Sequence, residues 1–440
     1  MFKPFSVALP RRSETVFDIR DFGAVPGGRV SNTAAFAAAV AAAAERGGKV
    51  VVPGGIWLTG PVQLRSGVEL HLSDNAVMLF SKNREEYPLI VTDFEGIRRI
   101  RAVSPIWAEN AEDIAITGHG VMHGNGQLWR PVKQFKMTQR QWDALLKRSE
   151  HVLDSREGGI WFPEKSIMDA QLAGEVFPDS CGTEAEALEK AALQYDFYRP
   201  VMVSLRRCRR VLMEDVCLQD SPAWCVHPWF CEDLTVRGVF IQNPAWAQNG
   251  DGIDVESCQR VHIHHCTFQT GDDGICLKSG KDREARKLKG PCEDVLIHDC
   301  HVGQSHGGFV IGSEMSRGVH NVLVKDCTFI DSDVGVRFKS VMGRGGVVEN
   351  IELEDIQMAH IKGEAVILTM DYVLNRLNCD DPVLESEDPE DVPEFRNITF
   401  RRCISCGAGK PVKIQPLSGH PESIHDIVFE ECDLEGVSGN

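Results

Sequence analysis

The chain has 440 residues, 42% hydrophobic and 25% charged, with a formal net charge of −17. These are the proportions of a folded protein with a real core, and the acidic balance argues against nucleic acid or an anionic membrane as the main partner, because a negative surface repels polyphosphates. A polyanionic substrate would need a local basic pocket. No apolar run reaches the roughly 18 residues that would span a bilayer. The opening stretch has only a short apolar segment between charges and does not read as an export signal, so a cytoplasmic chain is expected.

In chain order, the first predicted element is an Ala-rich helix, capped by Asn32 or Thr33, running to about Glu45 and ended by Gly47-Gly48. Its apolar bulk suits a lid over a first coil, so residues 17–60 read as cap and first coil. The segment GGKVVVPGGIWLTG and the stretch around Ile114 read as early coils. Between Trp129 and Tyr198 periodicity lapses in a segment rich in Trp, Lys, Arg and Glu, expected to be an irregular or partly helical insertion on one face near the cleft.

From residue 199 onward a strand-and-turn phrase recurs. Its first core aliphatics are Val211, Leu234, Val261, Val295, Val322, Ile351, Ile398 and Ile427, separated by 23, 27, 34, 27, 29, 47 and 29 residues. Three short strands and three turns fill such a period, and no single strand can bury its own face, so the coils must stack as a parallel β-helix. Propeller blades need about 40–45 residues per unit, more than most intervals hold. Residues 1–440 are therefore expected to form one domain. Cysteine recurs at fixed offsets from the markers (Cys208, Cys231, Cys258 and Cys292 before them, Cys266, Cys300, Cys327, Cys403 and Cys432 after). That spacing fits internal stacking of free thiols better than disulfides or a metal site.

A second strand in each coil aligns on a glycine: Gly252, Gly274, Gly308 and Gly335. The alignment stacks Ile253, Ile275, Phe309 and Val336 in one inward column and Val255, Leu277, Ile311 and Phe338 in the next. The outward columns are Asp254, Cys276, Val310, Arg337 and Glu256, Lys278, Gly312, Lys339. Arg337, Lys339 and Lys278 thus form the basic pocket that the acidic chain otherwise lacks. Just before the glycines, Asp251 aligns with Asp273 and Asp272 with His306. Adjacent coils lie about 4.8 Å apart, so the carboxylates are forced together at a cost that structure alone would not justify. Such a cluster suits glycosidic cleavage, where one carboxyl stays protonated for the leaving oxygen and another stays ionised to activate water. Calcium is the rival use of clustered carboxylates, disfavoured by the three cations. No metal site is assigned. His262, His264 and His265 could suggest one, but the alternation of His262 and His264 with core residues predicts solvent-facing side chains. Glu314 is expected either to position Lys339 or to be solvated.

These residues resemble family 28 of the glycoside hydrolases, the polygalacturonases. The family signatures NTDG, [GQ]DD, GHG and RIK stand here, in that order, as Asn249-Gly250-Asp251-Gly252, Gly271-Asp272-Asp273, Ser305-His306-Gly307 and Arg337-Phe338-Lys339. Gly250, Ser305 and Phe338 depart from the pattern; the first two touch loop geometry and the third fits the inward column. The resemblance spans roughly Phe17 to Tyr372. It implies a right-handed parallel β-helix and inverting hydrolysis of pectic galacturonan without a cofactor. By position it implies that Asp272 is the general acid, that Asp251 and Asp273 hold the attacking water, and that His306 tunes the acid. Arg337, Lys339 and Tyr372 would bind substrate, with Asn249 and Lys278 beside them. Exo action is expected, because the 129–198 insertion is predicted to wall off one end of the cleft. Hydrolysis of rhamnogalacturonan or a decorated galacturonan, a pectate-lyase-like β-helix, and a non-catalytic carbohydrate-binding β-helix remain as alternatives. An oligomer is compatible with all of them.

Overall fold

The computed structural model describes residues 1–155, 158–288, 290–371 and 386–436, so Tyr372 lies outside the described residues. The chain winds as a right-handed parallel β-helix whose three long sheets hold twelve, eleven and ten strands. The register of the twelve-stranded sheet pairs Val211 with Leu234, then Val261, Val295, Val322, Ile351, Ile398 and Ile427 in turn. The sequence period therefore maps one marker onto each coil. An unbroken apolar core runs up the axis from Ile19 to Ile424, with the cysteines of the ladder from Cys208 to Cys403 buried in it and Cys432 packed against its end. Fourteen cysteines, all free, lie among the described residues.

One residue per coil carries the sharp turn from the first strand to the second, in the left-handed backbone region. Asp215, Gly238, His265, Asp299, Asp326 and Asp355 occupy it at φ between 51° and 64°. Gly is unhindered there, and Asp can hydrogen-bond locally, which explains their recurrence at this offset.

The predicted helix forms over Thr33–Ala44 and buries Ala35, Phe36, Ala39, Val40 and Ala43 against the first coils. Asn32 stands at its N-terminus but does not cap it with its side chain. Its amide instead bonds Val25, Val30 and Leu58 backbone groups, fastening the entry loop to the sheet. One coil beyond those expected is built from Val68–Leu72 and Ala76–Phe80.

Two excursions leave the solenoid. A hairpin of antiparallel strands, Leu89–Phe94 and Ile97–Ala102, was not signalled by any period. The 129–198 insertion contains a three-stranded antiparallel sheet and three helices, Gln139–Leu146, Lys165–Ala173 and Glu184–Ala192, so it is more ordered than expected. It has small apolar cores of its own, one formed by Val132, Trp142, Leu145 and Trp161.

The first residues run lengthwise along the outside of the coils. Phe2 N donates to Glu352, Lys3 exchanges two bonds with Asn321, Ala8 N donates to Asp233 and Arg11 N to Asp113. This strap touches coils separated by more than two hundred residues in sequence. No described helix is long and apolar enough to cross a membrane.

Candidate active site

The ten-stranded sheet builds the floor of the site. Its register pairs Ile253 with Ile275, Phe309 and Val336, and Val255 with Leu277, Ile311 and Phe338, as the glycine alignment predicts. A side chain at the glycine column has no room: a Cβ on Gly252 would come within 2.4 Å of Gly274 O, and one on Gly308 within 2.5 Å of the Phe329 ring. That close stacking lets the loops before the glycines project their acids on one side of the coil.

Asp251, Asp272 and Asp273 each present a carboxylate oxygen within 4.8 Å of the other two. His306 Nδ1 lies 3.1 Å from Asp272 Oδ1, and its Nε2 is 3.7 Å from Asp333. Lys339 Nζ binds Asp273 Oδ2 at 2.7 Å. Asp251 and Asp273 are buried, whereas the Asp272 side chain keeps 24% of its surface open to the cleft. The three carboxylates are close enough to share a cation, but Lys339 already brings its charge against Asp273.

The electrostatics split the cluster. Burial, then the neighbouring carboxylates Asp254, Asp272 and Asp273, push Asp251 well above the usual carboxylate range. Burial pushes Asp254 up as well, although Lys278 opposes it. For Asp272, burial is outweighed by the facing His306 and by Lys136 and Lys339, which hold its carboxyl below the usual range. Like charges this close cannot all ionise, and these opposite directions favour the proton on Asp251 over Asp272. An acid role for Asp272 therefore requires that substrate entry shift the proton.

Arg337, Lys339, Lys278 and Asn249 all line one open cleft of about 840 Å³ together with the three aspartates and His306. Two of these residues are more committed internally than the sequence suggests. Lys278 is buried, with Nζ 2.8 Å from Glu314 and 3.6 Å from Asp254, and its ammonium lies 4.9 Å from the Trp224 ring. Burial works against its charge, but Cys276, Glu314 and Asp254 more than offset this and keep it protonated. Asn249 accepts from Arg199 Nη2 at 2.8 Å through its side-chain oxygen. Glu314 follows neither expectation: it is buried and holds Lys278 rather than Lys339, because Gly312 and Ser313 turn the chain back over the preceding coil. Burial opposes its charge, yet Lys278 and Arg344 hold its carboxyl below the usual range.

Three basic residues in or beside the cleft had no sequence signal. Lys136, from the insertion, reaches across to donate to Gly271 O at 2.7 Å, beside Asp272. Burial pulls its ammonium below the usual lysine range. Arg199 donates to the Pro222 and Gln248 carbonyls as well as to Asn249; burial and the nearby Arg101 and Arg130 lower it to about 9. Arg101, from the hairpin, stacks 4.1 Å from the Phe94 ring and pairs with Glu175 of the insertion. Hairpin and insertion are thus locked together along one side of the cleft.

The family model described as "Glycosyl hydrolases family 28" matches residues 149–440. The chain belongs to glycosyl hydrolase family 28. It is accordingly a glycoside hydrolase, and the lyase and inert-binder alternatives give way. Among its relatives, this family 28 member is 26% identical over 412 residues to a probable polygalacturonase of Vitis vinifera, covering 91% of this chain and 71% of the relative. It is 26% identical over 445 residues to an exo-poly-alpha-D-galacturonosidase of Dickeya chrysanthemi, covering 98% and 69%. The crystal structure of a hyperthermoactive exopolygalacturonase from Thermotoga maritima superposes with a TM-score of 0.76 at 29% identity, covering 97% of this chain and 88% of that one.

Away from the cleft, the histidine expectation needs correction. His262 and His264 do face outward but are half-buried, because His298 of the next coil stacks against them. Burial and the mutual repulsion of the rings hold both below the usual imidazole range, His264 at about 4.

Proposed function

We propose that this hydrolase cleaves α-1,4-galacturonosidic bonds of polygalacturonan or pectic oligosaccharides from a chain end. The observation that carries the reading is the three-carboxylate cluster flanked by Lys339 and Arg337 in one cleft. A sugar acid needs a cation for its carboxylate beside a proton donor and a water-activating base for its linkage, and the relatives named above act on galacturonan. Exo action is supported by the hairpin and insertion, whose residues Phe94, Arg101, Phe162 and Phe177, with Arg199 just after them, enclose the side of the cleft nearest the early coils.

In this reading Asp272, the acid most open to substrate, protonates the leaving oxygen, while Asp251 and Asp273 hold the water. His306 sets the charge on Asp272. Arg337 and Lys339 take the galacturonate carboxylate, and Asn249 and Lys278 brace the pocket. The resemblance implies inversion, yet oxygens within 4.8 Å stand closer than the spacing that usually leaves room for water between acid and base. Proton NMR of the first-formed anomer decides this: product of unchanged anomeric configuration overturns inversion. A time course on polygalacturonate decides the mode of attack. Galacturonate should be released from the first minutes, and early mid-chain fragments would overturn the exo reading.

A further inference from the structure

On the outer face of the twelve-stranded sheet, away from the carboxylates on the ten-stranded one, histidines gather across two coils. His262 and His264 alternate outward on the strand Gln259–His264, and His298 ends the next strand, Cys292–His298, in register with His264. A ring nitrogen from each of the three lies within 4.8 Å of the other two. His262 Nε2 and His298 Nε2 are 2.8 Å apart, and the rings of His264 and His298 stack at 5.1 Å and 11°.

The surrounding bonds orient these nitrogens. His298 Nδ1 lies 2.6 Å from Asp299 Oδ2, so Nδ1 carries the proton and Nε2 is left with its lone pair facing His262. A carboxylate behind an imidazole in this way is the usual support of a metal-ligating histidine. His264 Nδ1 is engaged by His265 Nδ1 at 2.8 Å. Since His298 Nε2 keeps its lone pair, His262 Nε2 is the donor in the contact between them. A tetrahedral ion at the usual ~2.0–2.1 Å from each nitrogen would set them about 3.3 Å apart, which asks the two rings to separate by about half an ångström. The positive neighbours in the same column are compensated: Arg237 Nε donates to Glu214 at 2.7 Å, and Lys325 lies 3.6 Å from Asp326.

We propose that His262, His264 and His298 bind one divalent ion of the zinc class, a solvent molecule completing the set, and so clamp two consecutive coils together. The clamp bridges the 34-residue interval between Val261 and Val295, which carries the helix Asp282–Arg286. Its effect falls on stability, because the site stands on another sheet from the reacting groups.

Calorimetric titration of zinc into the metal-free full chain tests this, comparing the wild type with His264→Gln/His298→Gln and with Asp299→Asn. One zinc per chain is expected in the wild type, with a rise in Tm. Binding should weaken at least about 100-fold in the double variant and about 10- to 100-fold in Asp299→Asn, which loses the orienting carboxylate. Unchanged galacturonan hydrolysis reports that each variant is folded. Absence of zinc binding by the wild type overturns the proposal, as does equal affinity in the double variant. Should the double variant not fold, equal affinity in Asp299→Asn, a change on an exposed turn, overturns it.

Discussion

The coil body and the wall beside it are built by different rules. In the body each residue has a counterpart one coil above and below, so position along the period decides whether a side chain enters the core or the cleft. In the wall, made of the Leu89–Ala102 hairpin and the 129–198 insertion, strands pair antiparallel and small local clusters replace the continuous core. The clustered carboxylates come from the body, whereas Lys136, Arg199 and Arg101 come from the wall or its margin. The carboxylates and the wall are thus encoded in separate parts of the chain, and the two meet where Lys136 reaches Gly271 beside Asp272.

That division can be tested from its strongest expected effect downward. Replacing Asp272 by Asn should lower kcat by about 10²- to 10⁴-fold with the fold intact. An aryl galacturonide whose leaving group needs no proton should be spared much of this loss, and an equal loss on both substrates would remove Asp272 as the acid. In the body, Phe309→Ala removes a fully buried ring and should cost about 3–5 kcal/mol in denaturant unfolding; a much smaller loss would mean that the coils are not the rigid partner.

The wall's contribution is expected to be subtler. Lys136 helps to hold Asp272 ionised, so Lys136→Ala should move the acid's titration, and with it the pH–rate profile, toward higher pH, with kcat at the optimum within about tenfold of wild type. An unmoved profile would confine the wall to a steric role. The smallest effect concerns stability. The folded chain holds a proton on Asp251 that the unfolded chain releases. The contribution of this group is fully present below the usual carboxylate range and is lost as pH rises through the raised value. Asp251→Asn removes that loss, so its Tm advantage over wild type should widen by a few degrees from acid to neutral pH.

Most of the body was legible because a solenoid turns spacing into contact. The markers from Val211 to Ile427 and the glycines from Gly252 to Gly335 stack as the spacing requires, and the same arithmetic brings Asp251, Asp272 and Asp273 together. It would also have placed His298 over His264, each three residues beyond its marker, had the columns been followed on the outer face. Lys136 and Arg199 gave no such signal, since nothing periodic relates the insertion to the coils. The internal pairing of Lys278 with Glu314 was hidden for another reason: it depends on how the chain turns after Gly312, which a strand alignment does not specify. Protonation was the least legible property, because it depends on burial and on which cations stand nearest.

Repeat architectures are held by nearest-neighbour contacts and so tend to lose structure from an end, one unit at a time. The strap of the first residues changes that arithmetic here, since Phe2 and Lys3 bind Glu352 and Asn321 on late strands while Arg11 binds Asp113 on an early one. Loosening a late coil therefore also releases a segment anchored near the opposite end. The strap links the melting of coils that share no interface, and it can be completed only after residues some 350 positions apart are both in place.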